Sequence, residues 1–360
     1  MKNVLKPDHL TRDQLLQIMI DNEGTDMYIT VWTYPAIKIW GEIVKIDDWI
    51  EILTWKDTFE FAQSLITEEQ HQDLLTHKNL DFSFSFSNRR FRCNVSFQLS
   101  NYMVVLRLLT SNIPNIDKLG LTNTYKEVTK KGQGLILVTW PTGSGKTTTL
   151  AAMIDYINSN TTKHIITIED PIEYVHAHKK SIVEHKEIGR DIPDYETALM
   201  WAMRQNPQVI MFWEMRTRSE MEMALRLAET GPVVFSTLHT RSAYQTITRI
   251  LDSFSGEDKN QVRLQLADSL VAIFSQRLLK TFDWTGLVLA KEILVRNSAV
   301  ANLIRENDLH QLPSVMQVWS REWMQLLEND IISYINKWII SEEEWLKYSN
   351  NPKLIKEWLI

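Results

Sequence analysis

Residues 81–87, DFSFSFS, alternate apolar and polar side chains, the period of a half-buried strand. FRCNVSFQL and YMVVLRLL continue as strands, and MYITVW and AIKIW read as two shorter ones upstream. Between 10 and 22, LTRDQLLQIMIDN has helical spacing, with Thr11 as its N-cap. Residues 1–110 therefore predict a mixed α/β unit. TSNIPNIDKLGL is dense in turn formers, and residues 111–121 read as a linker.

From 122 the pattern changes. GLILVTW is an uninterrupted apolar run, as in a strand buried on both faces. PTGSGKTTTLAAMIDYIN carries the chain into a helix. HIITIED, QVIMFWE and PVVFSTLH read as further strands, separated by the helices YETALMWAMRQ, EMEMALRLAET and SAYQTITRILDSF. Such alternation implies an α/β domain over 122–296, with a parallel sheet covered by helices. Residues 297–360 read as a helical region punctuated by LPS and NNP.

Composition narrows the class. Lys and Arg total 39 against 45 Asp and Glu, a net charge of −6. That lacks the basic footprint of a nucleic-acid binder, so no nucleic-acid partner is expected. Cys93 is the single cysteine, which excludes an intrachain disulfide and fits a reducing compartment. No run approaches 18 apolar residues, so no membrane span is expected. The opening MKNVLKPDHLTRDQLL lacks the apolar stretch of a secretory signal.

The chemistry gathers in the second region. LVTWPTGSGKTTTL follows an apolar strand and opens a helix, where a phosphate-binding loop belongs. Its candidate nucleotide residues are Pro141, Thr142, Gly143, Ser144, Gly145, Lys146, Thr147 and Thr148. Backbone N–H groups of Thr142–Lys146 would wrap phosphates at the helix start. Lys146 would neutralise the β/γ-phosphates, and the Thr147 hydroxyl would ligate Mg²⁺. The first glycine of the pattern is replaced by Trp140.

TIEDPIEY brings Glu169, Asp170 and Glu173 to the end of the second strand, the edge where such sheets bind ligands. These carboxylates can hold Mg²⁺ through water, position an attacking water, or simply cap a helix. Glu214 ends the third strand and suits a metal-shell or water-activating role. His239 and Thr240 follow the fourth. His239 either senses a γ-phosphate or is a satisfied core histidine.

Taken together, PTGSGKTTTLAAMIDYIN, HIITIEDPIEYVH, IGRD, EMR, AETG, TLHT and QVRLQLADSL resemble the secretion ATPase superfamily. The closest likeness is to retraction ATPases of type IV pili, the PilT type, over roughly residues 24–345. The resemblance implies a RecA-like P-loop ATPase domain after a PAS-like N-terminal domain, and a C-terminal helical region. It implies ATP and Mg²⁺ as cofactors and Glu214 as catalytic glutamate. Glu169, Asp170 and Glu173 would serve nucleotide and metal, and His239 matches the second His-box histidine. Arg90, Arg92 and Arg107 match N-domain arginines that reach a γ-phosphate. Cytoplasmic ring hexamers at the inner face of the cell membrane, working on the pilus platform protein, are likewise implied. The alternatives are an assembly or type II secretion ATPase, or a nucleotide-binding ring subunit without turnover.

Cys93 alone excludes the four-cysteine zinc module common in assembly ATPases. AVANLIRE, 299–306, resembles a retraction-type block, with Ala301 in place of its arginine. Pro232 stands where the first His-box histidine is usual. Trp32, Trp140, Trp213, Trp284, Trp319, Trp323 and Trp338 all fall where the family has glycine. With 11 glycines against 13 tryptophans, glycine sits far below the about 7% of an ordinary chain. We hypothesise that UGA codons, read as glycine in the source organism, are written here as tryptophan.

Overall fold

The computed structural model describes residues 11–39, 42–46, 52–109, 112–283 and 286–341. It divides into two compact units, residues 1–112 with 171–175, and residues 113–170 with 176–360. The first contains α1 (Arg12–Asp21), β1 (Asp26–Ile29), β2 (Ala36–Ile39), β3 (Glu42–Lys45), α2 (Trp55–Gln63), α3 (Glu68–His77), β4 (Asn79–Phe86), β5 (Arg89–Gln98) and β6 (Asn101–Leu109). Its sheet runs in the order β3-β2-β1-β6-β5-β4, every neighbouring pair antiparallel. Alternation sorts β5: Phe91, Cys93 and Val95 are fully buried, while Arg90, Arg92 and Asn94 occupy the opposite face. Helices α1–α3 add Leu16, Met19, Ala62 and Leu74 to that buried face. Each begins in a reciprocal capping box, at Thr11/Gln14, Thr54/Asp57 and Thr67/Gln70. Thr11 is thus the N-cap its sequence announced.

The second unit contains α4 (Asn123–Thr129), β7 (Gly134–Thr139), α5 (Lys146–Asn160), β8 (His164–Glu169), β9 (Ile182–Glu187), α6 (Tyr195–Ala202), β10 (Val209–Phe212), α7 (Arg218–Thr230), β11 (Val233–Leu238), α8 (Ala243–Asp252), α9 (Gly256–Ser269), β12 (Leu270–Lys280), β13 (Leu287–Val295), α10 (Ser298–Arg305), α11 (Leu312–Val318) and α12 (Leu327–Asn336). The sheet order is β13-β12-β7-β11-β10-β8-β9. All pairs are parallel except β12–β13, a hairpin closed by the Thr281 N–H donating to the Gly286 carbonyl at 3.1 Å. Trp284, between these two strands, lies outside the described residues.

Both faces of this sheet are covered, which is why its strands read as continuous apolar runs. Leu135 and Leu137 of β7 enter one core, Ile136 and Val138 the other. β10 divides likewise, Ile210 and Phe212 against Val209 and Met211. Ile116 and Leu121, inside the segment read as a linker, are buried in the second unit's core. The Asn and Pro residues there mark turns, which do not preclude packing. Helices α10–α12 belong to this same unit.

Candidate nucleotide site

β7, β11, β10 and β8 are parallel neighbours, so their carboxyl ends share one edge, where α/β sheets open their ligand crevice. β7 ends at Thr139, whose Oγ1 lies 2.8 Å from Ser275 Oγ on β12. The loop 140–145 follows. Gly143 and Gly145 take φ of 81° and 82°, left-handed conformations that turn successive N–H groups inward. Gly145 is also the N-cap of α5 and provides no capping side chain. The first-turn N–H groups of α5 therefore keep their capacity for an anion. Gln276 Nε2, from β12, donates to the Ser144 carbonyl at 2.9 Å and ties the loop to the sheet.

Lys146 is buried and reaches back along the loop. Its Nζ donates to the Trp140 carbonyl at 2.6 Å and the Pro141 carbonyl at 3.2 Å, 5.7 Å from the Trp213 ring centroid. Thr142 is exposed, Ser144 buried, and Thr147 and Thr148 half-buried. The Trp140 indole turns away from solvent against Leu279, Ala290 and Leu327, with the Arg277 guanidinium 5.8 Å from its ring.

Two residues past β10, Glu214 is buried, with Arg216 and His239 against its two carboxylate oxygens. Arg216 Nε donates to Oε1 at 2.6 Å, and His239 Nε2 lies 2.6 Å from Oε2. That hydrogen bond raises the Arg216 pKa above the usual guanidinium range, so its charge is permanent. The topology explains the meeting. Met215 N–H donates to the Thr237 carbonyl of β11, placing the residues after β10 beside those after β11. Leu238 in turn pairs with Thr139, so His239 flanks the phosphate loop. The His239 side chain is 46% exposed, so it is not a core residue. Pro232 precedes β11, at its other end. The strand rise of about 3.3 Å per residue separates it from His239 by roughly 20 Å, so this departure leaves the phosphate edge untouched.

Glu169 closes β8 and is buried; Asp170 beside it is exposed. His185 Nδ1, on β9, lies 2.7 Å from Thr167 Oγ1 and 3.9 Å from Glu169 Oε1. Glu173 belongs to the first unit, as do Arg90, Arg92 and Arg107. Arg92 and Arg107 are cross-strand partners on one sheet face. Arg92 pairs with Asp81, and Arg107 Nε donates to buried Asp26 at 2.8 Å. Arg90 donates to Ser83. Among the described residues no cluster of three His, Cys, Asp or Glu is poised for a metal. Mg²⁺ at such a site characteristically takes ligands from phosphate and water, with few from protein. The left-handed glycines, uncapped helix start, Lys146 and Thr147 fit a Mg–nucleotide.

Sequence reading missed Arg216, two residues beyond Glu214 in EMR, and Gln276, which carries no motif. It also missed a cavity of about 530 Å³ lined by Gln245, Glu292, His310 and Glu328. There Glu292 accepts the Ala243 N–H at 2.6 Å. Burial, reinforced by the Glu328 charge, pushes the Glu292 carboxyl up to about 7.

Comparison with known proteins agrees with this geometry. Residues 77–315 match the family model "Type II/IV secretion system protein". The type IV pilus retraction ATPase PilT of Pseudomonas aeruginosa is 38% identical, over 94% of this chain and 98% of its own. A twitching motility protein of Neisseria gonorrhoeae is 38% identical, over 89% and 85%. The crystal structure of the pilus retraction motor PilT with bound ADP superposes with a TM-score of 0.92 at 42% identity, covering 97% and 100%.

Proposed function

Since the chain belongs to the type II/IV secretion system protein family, we propose that it is an ATPase whose hydrolysis drives retraction of type IV pili. The carrying observation is the pairing of an uncapped, glycine-turned loop at Lys146–Thr147 with Glu214, held by Arg216 and His239 at the adjacent strand ends. Likeness to retraction ATPases along nearly the whole chain supports retraction over assembly.

Pro141–Thr148 hold the phosphates of ATP through backbone N–H groups and the α5 dipole. Lys146 leaves its loop carbonyls for the β/γ-phosphates. Mg²⁺ would neutralise charge on the phosphates, with Thr147 as protein ligand and Glu169 and Asp170 acting through water. Glu214 orients the attacking water, Arg216 fixes its carboxylate, and His239 contacts the γ-phosphate. Glu173 contributes a further carboxylate. Arg90, Arg92 and Arg107 act on the γ-phosphate of a neighbouring chain in a homo-hexameric ring. Loss of that phosphate releases the clamp between two domains, and the motion becomes mechanical work. The ring would stand at the cytoplasmic face of the inner membrane, against the pilus platform protein. Among the described residues, no helix is long and apolar enough to cross a membrane.

Purified chain should hydrolyse ATP in the presence of Mg²⁺. Glu214→Gln should lower turnover by roughly 10²–10⁴-fold, the usual worth of a positioned base, with nucleotide still bound. Lys146→Ala should lose binding. In cells, deletion should leave excess pili and abolish twitching. Pili lost on deletion would indicate assembly. A chain that binds ATP without turning it over would be a non-catalytic ring subunit.

A further inference from the structure

Five of the thirteen tryptophans, Trp40, Trp49, Trp284, Trp345 and Trp358, lie outside the described residues. Of the other eight, four have positive φ: Trp32 at 61°, Trp140 at 150°, Trp323 at 76° and Trp338 at 56°. In this region a β-carbon crowds the backbone carbonyl, and only a few per cent of non-glycine residues enter it. Asparagine and aspartate tolerate it through local hydrogen bonds; an indole has no such means.

The local backbone explains the requirement. After α12, the Trp338 N–H donates to the Ile335 carbonyl and the Ile339 N–H to the Tyr334 carbonyl, both at 2.9 Å. That is the Schellman termination, and Trp338 holds its left-handed position, where glycine is the usual residue. Trp323 likewise ends the short helical turn Trp319–Glu322 in the left-handed conformation. Trp32 lies in the turn after β1, and Trp140 opens the phosphate loop. Packing does not compensate at three of the four, since Trp32, Trp323 and Trp338 are 65%, 53% and 81% exposed. Trp140 alone has a buried ring.

Other tryptophans separate from this group. Trp319 has a φ of −91°, open to any residue, and Trp213 is absent from the positive-φ set. Trp55 and Trp201 lie in helices. Of the six described positions among the seven singled out in the sequence, the backbone marks four.

We infer that the polypeptide made in the source cell carries glycine at 32, 140, 323 and 338, encoded by UGA. UGA differs from the tryptophan codon UGG only in its third base and from the glycine codon GGA only in its first. One reassigned codon therefore accounts for all four sites, where separate mutations would have to strike four strained positions independently. The composition leaves room for it: the chain's 11 glycines fall far below the about 25 of an ordinary chain of this length, and four more narrow the gap. The native phosphate loop is then GPTGSGKT. The backbone at 32, 323 and 338 carries the inference without appeal to nucleotide chemistry.

Peptide mass spectrometry of the chain isolated from its source cells reads the four positions directly. Glycine is expected in all four peptides; tryptophan in them overturns the inference. A recombinant comparison tests the backbone cause. Trp338→Gly and Trp338→Ala both remove a ring that is 81% exposed, but only glycine relieves a φ of 56°. The glycine variant should melt above both the tryptophan chain and the alanine variant. An alanine variant melting as high as the glycine one would refute the steric argument.

Discussion

At the scale of single residues, Glu214 and Glu292 show two fates of a buried carboxylate. Glu214 faces Arg216 and His239. Arg216→Ala should lower turnover on the order of 10²-fold, as loss of orientation typically does, with little change in nucleotide affinity, measured by steady-state kinetics and nucleotide titration. Glu292 is buried beside the Glu328 charge and is raised from 4.5 to about 7. Between those values the folded protein keeps a proton that the unfolded chain has released. This group's contribution therefore falls as pH rises from about 4.5 to about 7, by on the order of 3 kcal/mol. Urea unfolding at pH 5 and pH 7.5 should show that slope, and Glu292→Gln should remove it. Lys146 and Thr147 were legible in the sequence because their chemistry is local: eight consecutive residues specify the loop. The Glu214–His239 meeting was not, because 25 positions separate the two and only parallel pairing of β10 with β11 joins them. Each left-handed tryptophan costs about 1–3 kcal/mol. Four approach the 5–15 kcal/mol that holds a typical domain together, so the exchange to glycine decides whether the chain is robust.

Among elements, the strands of the second unit were read correctly where both faces are buried, and α1 where Thr11 announced it. In α7, Thr217 and Glu220 form a reciprocal capping box that the sequence reading did not single out, ahead of buried Met221, Ala224, Leu225 and Ala228. Thr217→Ala should destabilise the protein by about 1 kcal/mol, the ordinary worth of such a cap, seen as a lower denaturant midpoint at unchanged slope. β9 and β12 went unisolated. IVEHKE of β9 mixes charge into an edge strand, and β12 begins directly at the end of α9 with no turn residue to mark the change. In residues 111–121, read as a linker, turn formers hide Ile116 and Leu121, which are buried in the core. AVANLIRE lies largely in α10, which buries Val300, Ala301 and Ile304. An alanine in place of the family's arginine is there a core residue.

For the whole molecule, the ring reading has a direct test. If arginines of one chain complete the site of the next, two inactive proteins should rescue each other. Mixed Lys146→Ala and Arg92→Ala/Arg107→Ala chains should regain a fraction of ATPase activity that neither shows alone; no recovery on mixing would place both defects in one self-contained site. Cys93 offers a means to watch such a machine move. It is the sole thiol, wholly buried in the first unit, and burial raises its pKa well above the ordinary range. Thiolate is the reactive form, so maleimide dyes should pass over the folded protein. A cysteine introduced at any chosen surface position then becomes a unique anchor for a fluorophore, and late labelling of Cys93 itself reports the moment the first unit opens.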